Sequence, residues 1–170
     1  MRVLEADVRL PAAARDAVDE TRRRFGAVDI LVASAGVGVV SSLAQTTAED
    51  WETIWTTNVS GTLFVAQEAI RAMKDGGRGG SIVLIGSDAG MLGERSIGAY
   101  SVTKAAVIMM TKVLALDGAA DGIRVNCVCP GYFETGMRHF PDRSGAGGDA
   151  RPGGYTERRA HTRRVSAGVA

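Results

Sequence analysis

A tyrosine and a lysine four residues apart are the first pair in this sequence whose side chains could do chemistry together. They lie in "AYSVTKAAVIMM", residues 99–110, which is rich in alanine and aliphatic residues and lacks glycine and proline, so it is predicted to form a helix. Tyr100 and Lys104 then share one helix face, a turn apart. An ammonium beside a phenol lowers the pKa of the phenol, which would make the tyrosine an acid–base group. The alternative, a solvated surface pair, is the commoner arrangement for this stretch taken alone.

Four apolar runs are predicted to be strands that could position this pair. They are "RVLEADV", which ends at Asp7, then "VDILVASAG", "SIVLIGS" and "IRVNCVCPG". The second run is of the kind that is buried on both faces of a parallel sheet. Pro11 opens a helix after the first strand, and Gly26 ends it. The apolar face of that helix is predicted to consist of Ala14, Val18 and Phe25.

A second helical region precedes the third strand. Thr46 and Thr47 are overlapping candidates for its cap, and Thr46 with Glu49 is the conventional capping box. The apolar face that follows also carries Asn58 and is made of Trp51, Ile54 and Trp55. "GTLFVAQEAIRAM" continues as a helix to the turn "DGGRGG". The alternation of strands and helices predicts an α/β fold, a doubly wound parallel sheet with right-handed crossovers.

The carboxyl ends of the predicted strands gather most of the polar residues. In doubly wound sheets, ligands bind beyond those ends. The residues at these ends are Asp7-Val8, Ala33-Ser34-Ala35-Gly36, Ser87 and Pro130-Gly131. Because the Tyr100 helix begins shortly after Ser87, we expect Ser87, Tyr100 and Lys104 to converge. Alone, each residue has a simpler interpretation: a serine after a strand often forms a turn, and an asparagine in a helix, such as Asn58, often marks a cap or kink.

Length, charge and rare residue types exclude several functions. The chain has 170 residues, which predicts one domain with a sizeable core. Residues 1–137 hold thirteen basic and sixteen acidic side chains, a net charge of −3, unlike a basic nucleic-acid interface. These residues contain no histidine, and Ser87 lacks the Gly-x-Ser-x-Gly frame, which excludes a serine hydrolase.

Cellular location is predicted from the cysteines and the N-terminus. Cys127 and Cys129, two apart on a predicted strand, suit neither a disulfide nor a zinc site and fit a reduced, cytoplasmic protein. "MRVLEADVRL" has acids where a signal peptide needs an apolar run, and no stretch is expected to reach the length of a membrane span.

Residues 138–170 differ from the rest of the chain. They contain seven arginines, three acids and six glycines, but no leucine or isoleucine. Such a segment buries too little apolar surface to offset its chain entropy, so it is predicted to be disordered. A nucleic-acid-binding arm is the functional alternative, but the arginines are scattered and only two aromatic residues accompany them.

Several motifs, in this order, resemble the short-chain dehydrogenase/reductase family over roughly residues 3–137. "YSVTK" resembles the family's Tyr-x-x-x-Lys, and Ser87 precedes Tyr100 by the thirteen positions typical of the family. Asn58 corresponds to its helix asparagine and completes an Asn-Ser-Tyr-Lys tetrad. "ADV" resembles the segment that cradles adenine, with Asp7 as the side-chain contact. "PGYFET" resembles the stretch whose threonine, here Thr135, holds the nicotinamide carboxamide.

This resemblance implies an NAD- or NADP-dependent oxidoreductase that interconverts a secondary alcohol and a ketone. Tyr100 would move the proton, Ser87 would hydrogen-bond the substrate oxygen, and Lys104 would also bind the nicotinamide ribose. Asn58 would hold a water through its backbone. The implied cofactor-binding residues are Asp7, Val8, Ala35, Gly36, Asn58, Tyr100, Lys104, Pro130, Gly131 and Thr135. The implied partners are a small alcohol or ketone and further copies of the chain, with helices 62–74 and 98–117 as the contact faces, and neither nucleic acid nor membrane.

The sequence also departs from the family pattern. In "ASAG", Ala33 stands where the family has asparagine, and the family's glycine-rich phosphate loop would precede Asp7 by some fifty residues. Gly36-Val37-Gly38 is no substitute, because Ser41 occupies the third glycine's position. Residues 1–137 are therefore expected to be a partial domain of the family, truncated at both ends, that binds the cofactor weakly or not at all. The alternative to an enzyme is an inactive remnant or an oligomerisation module.

Overall fold

The computed structural model describes residues 3–131 and the backbone of residues 163–166. Its sheet contains β1 (Ile30–Ala33), β2 (Gly80–Ile85), β3 (Ile123–Cys129) and β4 (Arg163–Ser166), in that spatial order. The first three strands are parallel, with Leu31, Ile82 and Val125 in register, and β4 is antiparallel to β3. The predicted α/β fold with a parallel sheet is confirmed.

The first predicted strand is wrong. Residues 3–7 form neither helix nor strand, and Asp7 instead begins a turn in which its carbonyl accepts the Leu10 N–H at 3.0 Å. A strand needs a neighbour to satisfy its backbone groups. Among the described residues, β1 pairs only with β2, and residues 3–7 do not pair with its open edge. Val3 is 80% exposed.

Four α-helices accompany the sheet in the described part of the chain. They are α1 (Pro11–Phe25), α2 (Ala48–Trp55), α3 (Gly61–Gly76) and α4 (Gly98–Gly118). Pro11 occupies the first turn of α1, and Gly26 ends the helix with a φ of 83°, as predicted. The expected apolar face is only partly right: Ala14 and Val18 are buried, but Phe25, at the last position of the helix, is 70% exposed.

The cap of α2 lies one residue later than the conventional capping box. Thr47 is the N-cap, and its hydroxyl accepts the Asp50 N–H at 3.1 Å. The Thr46 hydroxyl instead donates to the Ser42 carbonyl, so the Thr46–Glu49 box does not form. The predicted apolar face also divides: Ile54 is buried, whereas Trp51 stacks on Trp55 and stays partly exposed.

The core lies between one face of the sheet and helices α3 and α4. It is built from small and aliphatic side chains of these elements: Ala66, Ala69, Met73, Ile82, Leu84, Val107, Ile108, Leu114, Ala115, Ile123, Val125, Cys127 and Cys129. Side chains on the other face remain accessible in the described structure. Ile30 is 70% and Val32 59% exposed, so the expectation that this run is buried on both faces is wrong here. The helices that the described residues contribute cover a single face of the sheet, because α1 packs on α3 and α3 packs on α4.

Two further predictions are modified. The stretch Gly98–Asp121 is long and apolar enough to cross a membrane by length and composition, contrary to the expectation for this sequence. Its apolarity has a structural explanation, because α4 is a core helix that buries Val107 and Leu114 against the sheet.

Within residues 138–170, for which no regular structure was expected, residues 163–166 form β4. The rest of that segment lies outside the described residues.

Candidate active site

The site begins where β2 and β3 end side by side. Ser87 follows β2 and is 8% exposed, and the preceding Gly86 donates its N–H to the Val128 carbonyl at 2.9 Å. Ser87 also caps the short 3-10 turn Asp88–Gly90, accepting the Ala89 N–H at 3.2 Å. Parallel pairing brings both carboxyl ends to one edge of the sheet, and the cap fixes the serine hydroxyl there.

Helix α4 brings Tyr100 and Lys104 to the same place. Tyr100 hydrogen-bonds Ser87. The Lys104 Nζ lies 5.6 Å from the centre of the Tyr100 ring and donates to the Ile85 carbonyl at 2.8 Å. The structure therefore brings together the three residues that the sequence expects to converge at the end of β2.

The electrostatics of the pair differ from the sequence-based expectation. Burial raises the pKa of the Tyr100 phenol, the Ser87 hydrogen bond opposes this, and the charges of Asp88 and Glu94 add to it. Burial also lowers the pKa of Lys104, to about 8. The predicted lowering of the tyrosine pKa by Lys104 is therefore wrong for this structure. The ammonium faces the ring and a backbone carbonyl, and burial makes the largest contribution to the pKa of Tyr100.

Asn58 connects its own helical turn with the loop after β1 and with α4, next to the site. It lies in the π-helical turn Thr56–Ser60 and is completely buried. Its side chain accepts the Val37 N–H at 2.8 Å and donates to the Val37 carbonyl at 2.9 Å, so it pairs with the loop after β1 as a strand would. Its amide also donates to the Thr103 hydroxyl at 3.0 Å. The Asn58 carbonyl accepts the Thr62 hydroxyl at 2.7 Å.

Thr103 is a site residue that the sequence analysis missed. It is 1% exposed, and its hydroxyl donates to the Tyr100 carbonyl at 2.8 Å while accepting from Asn58. It therefore connects Asn58 to the first turn of α4. Its position immediately before Lys104 was the only indication available in the sequence.

The predicted adenine contacts lie on the segment that precedes α1. The Asp7 carboxylate is bound by the Arg9 side chain, with a shortest distance of 2.6 Å, and this pairing holds the pKa of Asp7 down at about 2. Val8 packs on the start of α3, where a Cβ at Gly61 would lie 2.8 Å from the Val8 Cγ2. Only glycine permits this close approach, three residues from Asn58.

The remaining predicted cofactor residues follow β1 and β3. Ala35 is exposed and Gly36 half-buried, directly before the Val37 backbone that pairs with Asn58. The Pro130 carbonyl accepts the Asp88 N–H at 3.0 Å, so Pro130 and Gly131 lie beside the Ser87 turn. Thr135 lies outside the described residues.

The described side chains at the site are suited to proton transfer. The described residues hold no cluster of three or more histidine, cysteine or acidic side chains that could bind a metal ion. Cys127 and Cys129 are free and buried with their sulfurs 3.8 Å apart, and burial raises the pKa of the Cys129 thiol to about 12, which disfavours a nucleophilic thiolate. A phenol, a hydroxyl and a buried ammonium remain.

Comparison with known proteins identifies relatives with the same fold. A family model described as short chain dehydrogenase matches residues 1–143. Sorbitol dehydrogenase of Cereibacter sphaeroides is 42% identical over 117 residues, covering 69% of this chain and 46% of that protein. The NADP-dependent (R)-specific alcohol dehydrogenase of Lentilactobacillus kefiri is 40% identical over 119 residues, covering 69% of this chain and 47% of that protein.

A solved structure supports the same assignment. Gluconate 5-dehydrogenase from Burkholderia cenocepacia J2315, in complex with NADP and tartrate, superposes with a TM-score of 0.74 at 39% identity, covering 78% of this chain and 52% of that one. The chain spans about half the length of the curated relatives it matches.

Proposed function

Because this chain belongs to the short-chain dehydrogenase family, we propose that it acts in an NAD- or NADP-dependent oxidoreductase that interconverts a secondary alcohol and a ketone. The observation that carries the proposal is the meeting of Ser87, Tyr100 and Lys104 at the carboxyl end of β2, with the phenol hydrogen-bonded to the serine. When a ketone is reduced to an alcohol, its oxygen must receive a proton, and a second hydroxyl can hydrogen-bond that oxygen during the reaction.

Each side chain has a distinct part in this proposal. The nicotinamide, when bound, supplies or accepts the hydride. Tyr100 gives the proton to the ketone oxygen or takes it from the alcohol, and Ser87 hydrogen-bonds the same oxygen. Asn58 keeps the loop after β1 against α4, since it holds both Val37 and Thr103. Its backbone carbonyl would bind a water.

Lys104 gives a physical reason to expect a polyhydroxylated ligand. Its buried ammonium has three N–H donors, and within the described residues it makes one hydrogen bond, to the Ile85 carbonyl. The ribose of a nicotinamide cofactor would offer hydroxyl acceptors to the other two. Asp7, Val8, Ala35, Gly36, Pro130, Gly131 and Thr135 are the proposed contacts for the remainder of the cofactor.

The substrate in this proposal is a small alcohol or ketone, by likeness to the sorbitol and alcohol dehydrogenases. The free, buried cysteines support a cytoplasmic location.

A cofactor reduction assay tests the function. Purified protein is given NAD⁺ or NADP⁺ with sorbitol or a simple secondary alcohol, and reduced nicotinamide is followed by absorbance. We expect reduction with at least one pair and, in line with the expectation from the sequence, only weak binding of that cofactor by calorimetry. Folded protein that binds neither cofactor and turns over no alcohol would leave the non-catalytic alternative, an oligomerisation module, as the better description.

Self-association is also proposed, on the basis of an exposed apolar stripe on α4. The stripe occupies one helix face and consists of Val102, Met109, Val113 and Leu116, which are 37–65% exposed. Paired with the same stripe of a second copy, it would be covered. We therefore expect Met109→Glu to lower the mass measured by light scattering toward that of one chain, whereas Phe25→Glu, a matched change at an exposed apolar residue on α1, should not. An unchanged mass in Met109→Glu would contradict the proposal.

A further inference from the structure

The Ser87 hydroxyl has more neighbours than it has protons. Its oxygen accepts the Ala89 N–H, lies 3.2 Å from the Asp88 Oδ1 and hydrogen-bonds Tyr100. A serine hydroxyl donates one hydrogen bond and accepts two. Ala89 uses one acceptor position, so Asp88 and Tyr100 must share the single proton and the one remaining lone pair.

The charge on Asp88 decides how they share it. An ionised carboxylate only accepts, so the Ser87 proton points at Asp88. The hydrogen bond between Ser87 and Tyr100 must then use the proton of the phenol. If Tyr100 loses that proton, the phenolate and the carboxylate compete for one serine hydrogen. Ser87 therefore satisfies both neighbours when Tyr100 is protonated, whereas an ionised Tyr100 competes with Asp88 for the serine proton.

The hydrogen bond with Ser87 by itself lowers the pKa of Tyr100, so Asp88 weakens that effect when it holds the serine proton. The charges around the phenol also favour its protonated form. Asp88 and Glu94 approach it from the segment after β2 and raise its pKa. On its own helix it faces Lys104, whose ammonium lies over the ring, and behind Lys104 are the thiols of Cys127 and Cys129 on β3. Asp88 combines its charge with a hydrogen bond to Ser87.

The Asp88 carboxylate is also held in place. Its Oδ1 accepts the Ala89 N–H at 2.7 Å, and its own N–H donates to the Pro130 carbonyl at 3.0 Å. Both contacts tie it to the turn at the ends of β2 and β3. A fixed charge produces a larger and more reproducible effect than one on a mobile side chain, because no rearrangement screens it.

We propose that Asp88 is a positioning residue that holds the Ser87 proton and keeps Tyr100 in its protonated, acid form. If the site performs the proposed oxidoreductase reaction, Asp88 favours reduction of the ketone, in which Tyr100 donates a proton, and makes oxidation of the alcohol require a higher pH. The direction of catalysis rests on the proposed function, but the state of the Tyr100 proton does not.

Titration of the phenol tests the proposal without cofactor or substrate. The chain has three tyrosines, so changing Tyr132 and Tyr155 to phenylalanine leaves Tyr100 as the one phenol observed by ultraviolet absorbance. In this background, Asp88→Asn removes the charge. We expect it to lower the pKa of Tyr100 by about 0.5–1, the effect of a single nearby charge in a partly screened site. Circular dichroism at each pH establishes that the fold persists.

Asp117→Asn is the matched control. Asp117 is exposed on the same helix, seventeen residues from Tyr100, which is about 25 Å at 1.5 Å per residue and well beyond the Debye length. We expect it to leave the pKa of Tyr100 unchanged. Equal pKa values in the Asp88→Asn and Asp117→Asn proteins would overturn the proposal.

A second variant at the same position tests the proposal if Asp88→Asn does not fold. Asp88→Ser removes the charge but keeps a short side chain that can accept the Ala89 N–H. It should lower the pKa of Tyr100 as Asp88→Asn does, and an unchanged value in either folded variant counts against the role of Asp88. In protein that turns over alcohol, the same change should raise the oxidation rate below the pKa by about 3–10-fold. A protein that fails the cofactor assay yet shows the pKa shift would reject the proposed function alone.

Discussion

Replacing Tyr100 by phenylalanine is expected to lower the turnover of the proposed dehydrogenase by about a hundredfold to ten-thousandfold, the usual contribution of a general acid–base group. The change removes one oxygen, the atom that hydrogen-bonds Ser87. The ring that lies under Lys104 remains, so the packing of α4 should be preserved. The measurement is kcat with saturating alcohol and cofactor, together with a thermal melt.

The affinity for cofactor distinguishes a chemical role from a structural one. Tyr100→Phe should change the dissociation constant for NAD or NADP much less than it changes kcat. The substitution removes the phenolic proton but keeps the aromatic ring and its packing. Tyr155→Phe applies the same chemical change elsewhere in the sequence and serves as the control. A Tyr100→Phe protein that keeps most of its turnover would contradict the assignment of Tyr100 as the proton donor.

Replacing Lys104 by methionine is expected to stabilise the fold while it impairs catalysis. Lys104 is 4% exposed, and among the described residues it has no carboxylate partner in an ion pair. Burial lowers its pKa from 10.5 to about 8. At 1.36 kcal/mol per pKa unit, keeping the ammonium charged in the folded state costs about 3 kcal/mol. The bond to Ile85 returns about 1 kcal/mol.

The effect should depend on pH in a defined direction. Below pH 8 the ammonium is charged in both the folded and the unfolded chain, so the full cost is present. Between pH 8 and 10.5 the folded chain has released a proton that the unfolded chain still binds, so the stability of the native protein rises with pH. The gain in free energy of unfolding in Lys104→Met should therefore be about 2 kcal/mol at pH 7 and shrink as the pH approaches 10.

Urea denaturation of the two proteins at pH 7 and pH 10 measures this difference. Lys112→Met is the matched control, since Lys112 is an exposed lysine on the same helix. It should change stability little at either pH. If Lys104→Met destabilises the fold equally at both pH values, the hydrogen bond and packing of Lys104 outweigh the cost of burying its charge.

Short-range patterns in the sequence determined most of the elements and the meeting of the catalytic candidates. Apolar periodicity, Pro11 and the glycine stops predicted the helices, and apolar runs predicted β1, β2 and β3. The convergence of Ser87, Tyr100 and Lys104 followed from two local rules: parallel strands end at one edge of the sheet, and residues four apart share a helix face. These predictions required only the types of the residues and their spacing along the chain.

Only the tertiary structure decided the features that depend on distant neighbours. Residues 3–7 have strand composition but pair with no strand among the described residues. Ile30 and Val32 lie on the sheet face that the described helices leave open. Thr103 entered the site because Asn58, forty-five residues earlier, reaches its hydroxyl. The pKa of Tyr100 rises rather than falls because burial and the charges of Asp88 and Glu94 outweigh the Ser87 hydrogen bond. Burial and charge proximity are properties of packing, which residue spacing along the chain does not specify.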